Sequence, residues 1–242
     1  METISPEKGA EKTDGYNALL SASGMQVNFQ KTIFVSGATG YMGSALIPTL
    51  LARGHLVHAL VRPGSERKLS AGCVSVLGDA LVSASFAARV PEGCTYVHLL
   101  GALRPAPWKE KQFRAVDLPS TKASLTAALA AKVSHFIYVS VAHPAPVMKS
   151  YIQVRKEGEA LLRATGMTAT ILRPWYVVGP SHRWPLVLVP VYKLLERVPA
   201  TREASQRLGL VTIEDMTRAL VGAIEHAAGG VRVLGVPEIR RL

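Results

Sequence analysis

Short apolar segments alternate along the chain with longer segments of helical periodicity. We predict strands at 31–36, 55–61, 73–77, 95–100, 134–141, 168–173, 208–212 and 231–235. We predict helices at 41–53, 80–89, 109–131, 148–165, 185–197 and 213–227. Continuous apolar strands separated by helices are typical of a parallel sheet covered on both faces. The pattern therefore predicts an α/β fold with a doubly wound parallel sheet, which binds ligands at the carboxyl ends of its strands.

The first predicted strand runs into a glycine-rich segment in which Gly37, Gly40 and Gly43 are spaced G-x-x-G-x-x-G. We expect Gly37 to allow a tight reversal, Gly40 to let backbone N–H groups approach a pyrophosphate, and Gly43 to let the helix pack closely. The helix N-terminus adds unpaired N–H groups and a partial positive charge. The sequence therefore predicts a dinucleotide-phosphate site formed by Gly37, Ala38, Thr39, Gly40, Tyr41, Met42 and Gly43.

The end of the second predicted strand indicates which nicotinamide cofactor the chain prefers. An acidic residue at this point would bind the ribose 2′-OH of NAD, but the chain has Arg62. Arg62 can stack on adenine and pair with a 2′-phosphate, and Arg67 or Lys68 can supply a second cation. We therefore favour NADP over NAD. The alternative is a solvated basic loop.

Two further sites follow strand ends. Asp79 either accepts a hydrogen bond from the adenine amino group or caps the predicted helix 80–89, and the two roles are compatible. Gly101 and Ala102 place small residues where a dinucleotide would cross the edge of the sheet.

Composition favours one large domain. With 242 residues and 48% apolar content, the chain can bury a full core. Residues 1–24 are polar and acidic, unlike a presequence or a secretion signal, and we expect a flexible extension there before a domain over 25–242. Cys73 and Cys94 are too few for a disulfide framework, so we expect core residues in a cytoplasmic protein.

The chain has a large positive net charge, and binding a phosphate-rich cofactor would account for only part of it. The chain carries +11, and because residues 1–24 contribute −2, the remainder carries +13. Such a charge suits nucleic acid, an anionic membrane or phosphorylated ligands. The sequence shows no nucleic-acid motif, so we expect no nucleic-acid partner. Peripheral contact with a membrane stays as a hypothesis.

Several motifs occur in the order found in a known superfamily. They are SGATGYMG at 36–43, Arg62, GD at 78–79, HLLGA at 98–102, FIYVSV at 136–141, YIQVRKEGEALLRATG at 151–166, TILRPWYVVGP at 170–180 and LVTIEDMTRAL at 210–220. The chain resembles the short-chain dehydrogenase/reductase superfamily over about residues 31–236, especially its atypical and extended NAD(P)H-binding branches. These include NmrA-like proteins and relatives of the Rossmann accessory subunit of respiratory complex I. The resemblance implies a Rossmann-type sheet with a small C-terminal lid.

In that superfamily a Ser, a Tyr and a Lys four residues after the Tyr form the active site. The resemblance places Ser140 and Tyr151 in the first two roles, and Arg155 at the Lys position. A helical i, i+4 pair puts Tyr151 and Arg155 on one face, where a cation would lower the pKa of the phenol. Arg155 keeps the charge but not the geometry of an ammonium, and Lys156 points about 100° away. The alternative is a surface pair beside Glu159.

The substrate side is predicted from the same resemblance. Pro174 matches the proline whose backbone lies against the nicotinamide carboxamide, with Trp175 and Tyr176 either near the pocket or in the core. The family builds its lid from the segment 180–207. Its dense polar and aromatic group suits an anionic or aromatic substrate: His182, Arg183 and Trp184.

Two more segments have open roles. The apolar helix 185–197 can cap a pocket, form a homodimer face or lie on a membrane. The loop 103–111 is a second candidate lid, in which Trp108 is either a pocket wall or an exposed anchor.

Three functional hypotheses follow. The first is an NADP-dependent oxidoreductase or isomerase of a small, apolar carbonyl or hydroxyl compound, with no metal. The second is a non-catalytic NADP(H)-binding redox sensor, or an assembly or scaffold protein. The third is a membrane- or nucleic-acid-binding module with a vestigial cofactor site, which the intact glycine triplet disfavours.

Overall fold

The computed structural model describes residues 30–101, 107–180 and 199–242, and all the elements below lie in the unit Lys31–Leu242. The strands are β1 (Thr32–Ser36), β2 (Leu56–Val61), β3 (Val74–Leu77), β4 (Thr95–His98), β5 (His135–Val139), β6 (Ala169–Leu172), β7 (Tyr176–Val178), β8 (Leu210–Thr212) and β9 (Val231–Leu234). A parallel sheet has the order β3-β2-β1-β4-β5-β6-β9. The predicted doubly wound Rossmann-type fold is confirmed.

Helices cover both faces of this sheet. They are α1 (Tyr41–Ala52), α2 (Leu118–Ala130), α3 (Lys149–Ala164), α4 (Pro199–Arg207), α5 (Ile213–Glu225) and α6 (Val236–Arg241). Because side chains alternate along a strand, Ile33 and Val35 pack in the layer that contains α1, α5 and α6, whereas Phe34 packs in the layer of α2 and α3. The helices cover the two faces of the sheet, so the predicted ligand site lies at the carboxyl ends of its strands.

The predicted helix 80–89 is wrong. The chain forms two 3₁₀ turns instead, Ser83–Ser85 and Ala87–Arg89. The hydroxyl of Ser85 donates to the carbonyls of Asp79 and Val82 and accepts from the N–H of Asp79. Serine side chains compete in this way with helical backbone hydrogen bonds, so the segment closes as turns.

The predicted helix 109–131 is interrupted. A helical turn at Glu110–Gln112 is followed by a π-helical turn at Phe113–Asp117, and only then by α2. Pro119 lies in the first turn of α2. It lacks the N–H that the carbonyl of Ala115 would need in an α-helix, which explains the wider turn.

The C-terminal part contains elements that the sequence pattern did not predict. The short strand β7 pairs in parallel with β8 in a separate two-stranded sheet, and α4 and α6 are also new. The predicted strand 208–212 is confirmed as β8, although it lies outside the main sheet. The predicted helix 185–197 lies outside the described residues.

Candidate functional site

The glycine-rich turn between β1 and α1 has the geometry that the sequence predicts. Gly37 has a φ of +82°, and a Cβ at this position would lie 2.9 Å from the backbone of both Leu99 and Leu100. A Cβ on Gly43 would lie 2.5 Å from the carbonyl oxygen of Gly37. Because Gly37 and Gly43 have no side chains, the turn can pack directly against α1 and against the residues that follow β4.

The N-terminus of α1 is open to an anion. Gly40 caps the helix without a side-chain hydrogen bond, and the first turn contains no acidic residue. Thr39 and Gly40 are exposed. Backbone N–H groups and the positive end of the helix are a fitting site for phosphate, so these residues fit the pyrophosphate of a dinucleotide.

The side chains predicted to bind the adenosine half lie at the same edge. Arg62 is exposed and starts a turn in which its carbonyl accepts from the N–H of Ser65 at 3.0 Å. Arg67 and Lys68 are exposed on the next turn. Asp79 accepts at Oδ1 from the N–H of Leu81 at 2.9 Å, so it caps a turn and not the predicted helix.

Arg155 is buried, which excludes the interpretation as a surface pair. Its Nη2 lies 2.5 Å from Oδ1 of Asp117, and the two side chains are 5% and 1% exposed. Its Nη1 donates to the carbonyl of Val139 at 3.1 Å. The guanidinium lies against Gly101, where a Cβ would collide with it. The neighbouring Lys156 is exposed, so of these two cations it is Arg155 that lies at the carboxyl end of β4.

Tyr151 lies beside this cation. The guanidinium carbon of Arg155 is 5.3 Å from the centre of the Tyr151 ring, and the Phe113 ring is 5.0 Å away on a tilted plane. Burial raises the pKa of Tyr151, the positive charge of Arg155 opposes that change, and Asp117 adds to it. The expected lowering of this pKa is wrong in its net direction, because desolvation of the phenolate outweighs the nearby cation.

Ser140 belongs to a second buried network. Its hydroxyl donates to Oε1 of Glu159 at 2.6 Å. Arg173 holds the same carboxylate with two hydrogen bonds, of 2.9 Å and 2.5 Å, and Nε2 of His143 lies 3.6 Å away. Burial raises the pKa of Glu159, but the hydrogen bonds from Arg173 and Ser140 lower it further, so the carboxyl is ionised. The structure thus joins Ser140 to Glu159.

Sequence reasoning missed the roles of three buried residues. Asp117 was hidden inside a long helical pattern, and Glu159 was read as a surface neighbour. His98, at the end of β4, has Nδ1 2.9 Å from the hydroxyl of Ser36 and 3.0 Å from that of Ser124. Burial and the charge of Arg155 lower the pKa of His98 to about 3. For Glu159 the available signal was its i, i+4 spacing from Arg155, which puts it on the buried face of α3.

The predicted substrate side is only partly described. Pro174 is buried, and its carbonyl accepts from the N–H of Ala142 at 2.8 Å. Trp175 packs against the core and meets Tyr176 edge-on at 5.5 Å. Trp108 is 83% exposed, which makes it an exposed side chain and not a pocket wall. Ala102, His182, Arg183 and Trp184 lie outside the described residues.

Two cavities open near these networks. One of about 210 Å³ is lined by Tyr151 and by residues of the two segments next to it: Phe113, Met148, Lys149 and Ser150. The other, of about 220 Å³, lies at the carboxyl ends of β6 and β9 beside α4, and His143, Arg173 and Gln206 are among its lining residues. Only the first cavity contains the side chain of Tyr151.

Two further properties concern the described residues alone. In the ranges 30–101, 107–180 and 199–242, His, Cys, Asp and Glu side chains form no cluster suited to a metal ion. No helix in this part of the chain has the length and apolarity needed to cross a membrane. Burial raises the pKa of Cys94 to about 12 and also raises that of the half-buried Cys73, so both are unreactive packing residues.

Comparison with known proteins identifies the family. Residues 37–183 match the model of a family described as NAD(P)H-binding. A ceramide reductase of Caulobacter vibrioides is 26% identical over 201 residues, which cover 81% of this chain and 62% of that protein. A 4-hydroxy-2-methyl-3-oxo-4-farnesyl-3,4-dihydroquinoline-1-oxide ketoreductase of Stigmatella aurantiaca is 26% identical over 168 residues, 60% of this chain and 50% of that protein.

A solved structure shows the same fold. The Bordetella bronchiseptica enzyme WbmH, in complex with NAD+, superposes with a TM-score of 0.64 at 20% identity, covering 88% of this chain and 80% of that one. The chain spans between half and two thirds of the length of the two curated relatives above. The chain belongs to the NAD(P)H-binding family, whose model matches more than half of it.

Proposed function

We propose that the chain is an NADPH-dependent reductase that converts the carbonyl group of a small, largely apolar compound into a hydroxyl. The observation that carries the proposal is the contact of the Arg155 guanidinium with both the Tyr151 ring and the backbone of Gly101. It puts a phenol and a buried cation at the carboxyl end of β4, where the family binds its dinucleotide. The names of the two bacterial reductases support the reaction class.

The cofactor would be held by residues of the two predicted sites. The turn at Gly37, Gly40 and Gly43 would hold the pyrophosphate, and Arg62 would pair with the 2′-phosphate that distinguishes NADPH. When bound, the cofactor supplies the hydride. The open N-terminus of α1 and the exposed Arg62 support this assignment.

Tyr151 would supply the proton. Because burial raises its pKa, the phenol is protonated at neutral pH, which is the state that a proton donor needs. As the carbonyl carbon gains hydride, its oxygen takes the proton of Tyr151. Arg155 then stabilises the phenolate that remains. A raised pKa suits reduction better than oxidation, in which the phenolate would have to accept a proton.

Ser140 contributes less directly. For its hydroxyl to donate to a substrate carbonyl, it must turn away from Glu159 and give up a hydrogen bond of 2.6 Å to an ionised carboxylate. With the hydroxyl as it stands, Ser140 presents only acceptor lone pairs to a ligand. We therefore assign the proton transfer to Tyr151 and give Ser140 the role of ordering the loop after β5.

The same networks favour a second candidate function. The charge of Arg155 is neutralised by Asp117, and the proton of Ser140 is directed to Glu159. A protein with these pairings could bind NADP(H) as a redox sensor or a scaffold without turning over a substrate. The two candidates differ in turnover and agree on cofactor binding.

The test begins with cofactor binding and continues with turnover. NADPH and NADH are titrated by fluorescence, and NADPH oxidation is then followed with a panel of ketones that starts with lipid-like compounds, as the relatives' names suggest. For the reductase, Tyr151→Phe should abolish turnover while NADPH binding is kept. Arg155→Ala should impair turnover far more than the adjacent, exposed Lys156→Ala.

Each result separates the candidates. Turnover that Tyr151→Phe leaves intact would exclude the proposed proton donor. Tight NADPH binding with no ketone reduced would favour the sensor or scaffold. Failure to bind either nucleotide would overturn both candidates.

A further inference from the structure

Two large apolar side chains are exposed in the segments beside the Tyr151 cavity. Trp108 is 83% exposed and Val147 is 50% exposed. Exposing the large apolar ring of tryptophan to water is energetically unfavourable. Tryptophan is enriched where proteins contact the lipid headgroup region, because its ring is amphipathic.

Contacts between two segments place the turn that carries Trp108 beside the segment that carries Val147. The turn that carries Trp108 continues into the helical turn Glu110–Gln112, and Oε2 of Glu110 accepts from the hydroxyl of Ser150 at 2.9 Å. Arg114 lies 3.6 Å from Glu157 of α3. The Trp108 turn therefore lies against the N-terminal end of α3, which begins at Lys149, two residues after Val147.

The polar residues of this face are mostly basic. Lys111, Arg114 and Lys149 are exposed, and Lys109 is half-buried. Glu110 is the acidic residue of the same turn, and it is engaged by Ser150 and lies 3.8 Å from Arg114. Trp108 and Lys111 are three residues apart, a spacing that puts them on the same side of a helical turn. We call Trp108, Lys111, Val147 and Lys149 the Trp108 face.

The cavity of Tyr151 borders this face. Its lining includes Met148, Lys149 and Ser150, which directly follow Val147 in the chain. A partner on the Trp108 face would therefore lie next to the cavity. An apolar anchor ringed by lysines complements a surface that is apolar inside and anionic outside.

We propose that the Trp108 face binds the surface of an anionic lipid bilayer. Trp108 and Val147 enter the headgroup region, and Lys111 and Lys149 contact lipid phosphates and carboxylates. The net charge of +11 of the whole chain adds long-range attraction to such a surface. Binding in this manner is peripheral. It does not depend on the reductase activity, so the two proposals fail separately.

Vesicle flotation tests the proposal on the full chain. Vesicles of phosphatidylcholine alone are compared with vesicles that contain roughly a third phosphatidylserine, in low and in high salt. The protein should float only with the anionic vesicles, and binding should fall as salt rises. The emission of Trp108 should shift to the blue on binding, and Trp108→Phe should lose that part of the shift.

Variants then locate the surface. Lys111→Glu with Lys149→Glu should weaken binding at least about tenfold, and Trp108→Ser with Val147→Ser should weaken it without changing the circular dichroism spectrum. The matched control reverses two exposed cations elsewhere, Lys122→Glu with Arg163→Glu, and should have a much smaller effect.

Four results would overturn the inference. They are equal flotation with neutral vesicles, equal losses in the face and control variants, a Trp108-dependent homodimer that forms without lipid, and preferred binding of duplex DNA through the same lysines.

Discussion

Nη2 of Arg155 lies 2.5 Å from Oδ1 of Asp117, and both side chains are almost completely buried. The two residues are 38 positions apart in the sequence, one on the π-helical turn before α2 and the other on α3. Burial works against the charge of Arg155, but Tyr151, Tyr138 and Asp117 outweigh it and raise the pKa of the guanidinium. The pair therefore stays ionised inside the protein.

Removing one member of this pair should be strongly destabilising. Asp117→Asn leaves the guanidinium in a buried place without a counter-charge, and we expect the free energy of unfolding to fall by about 3–5 kcal/mol. Urea denaturation measures the change. The control is Glu92→Gln, which breaks an exposed pair with Lys132 and should change stability by less than about 1 kcal/mol. Equal effects in the two variants would show that Arg155 is not held by Asp117.

Arg62 should decide between the two nicotinamide cofactors. If Arg62 binds the 2′-phosphate as proposed, Arg62→Ala removes a charge-assisted hydrogen bond, and we expect NADPH to bind about 10- to 100-fold more weakly. NADH lacks that phosphate, so its affinity should change little. Isothermal titration calorimetry measures both constants, with Lys122→Ala as the control for loss of an exposed charge. Parallel losses for NADPH and NADH would assign Arg62 to adenine stacking alone.

A methyl group at Gly43 should be harmful, although glycine is usually a poor helix residue. The Cβ of Gly43→Ala would lie 2.5 Å from the carbonyl oxygen of Gly37 and would push α1 away from the phosphate-binding turn. We expect a lower melting temperature and weaker NADPH binding. Gly222→Ala in α5 is the matched control, because no atom beyond its chain neighbours and the adjoining helix backbone lies within 4 Å of the new methyl. This control should gain up to about 1 kcal/mol.

Acid should destabilise the protein in part through His98. Burial, with the charge of Arg155, lowers the pKa of His98 from 6.5 to about 3. Between these values the unfolded chain binds a proton that the folded chain does not. Stability is therefore complete above the unfolded pKa and is lost as the pH falls, by on the order of 1.4 kcal/mol per pH unit.

The check is a comparison of slopes. Unfolding free energies from urea titrations between about pH 6 and pH 4 give the number of protons taken up on unfolding. His98→Gln should take up about one proton fewer than the wild type. His135, whose pKa burial lowers to about 4, contributes a similar uptake in both proteins. Identical slopes would mean that His98 is protonated in the folded state.

The sheet was predictable because its strands are encoded locally. The central strands β1, β5 and β6 are nearly continuous apolar runs, as strands buried on both faces must be. Two of the failures have local causes that the apolar pattern does not contain, and a third depends on a distant partner. Ser85 satisfies backbone groups with its own hydroxyl, and Pro119 removes one N–H from a helix. The strand β7 forms because it pairs with β8, and its three residues are too few to predict that pairing from the sequence.

The site divides in the same manner. The glycine spacing and the i, i+4 relation of Tyr151 to Arg155 lie within short stretches of sequence, so they were visible. The partners of these groups were not. Asp117 meets Arg155, and Ser140 meets Glu159, only after the fold is assembled. The direction of the change in the pKa of Tyr151 depends on how deeply the phenol is buried, and the order of charged residues along the chain does not show burial.

The close approach of Arg155 to Gly101 couples two positions that are far apart in the chain. The guanidinium occupies the volume that any side chain at position 101 would need. In a library that varies both positions, alanine or a larger residue at 101 should survive selection for folding only beside a shorter side chain at 155. The buried guanidinium of Arg155 thus favours a residue without a side chain at position 101, three residues after the end of β4.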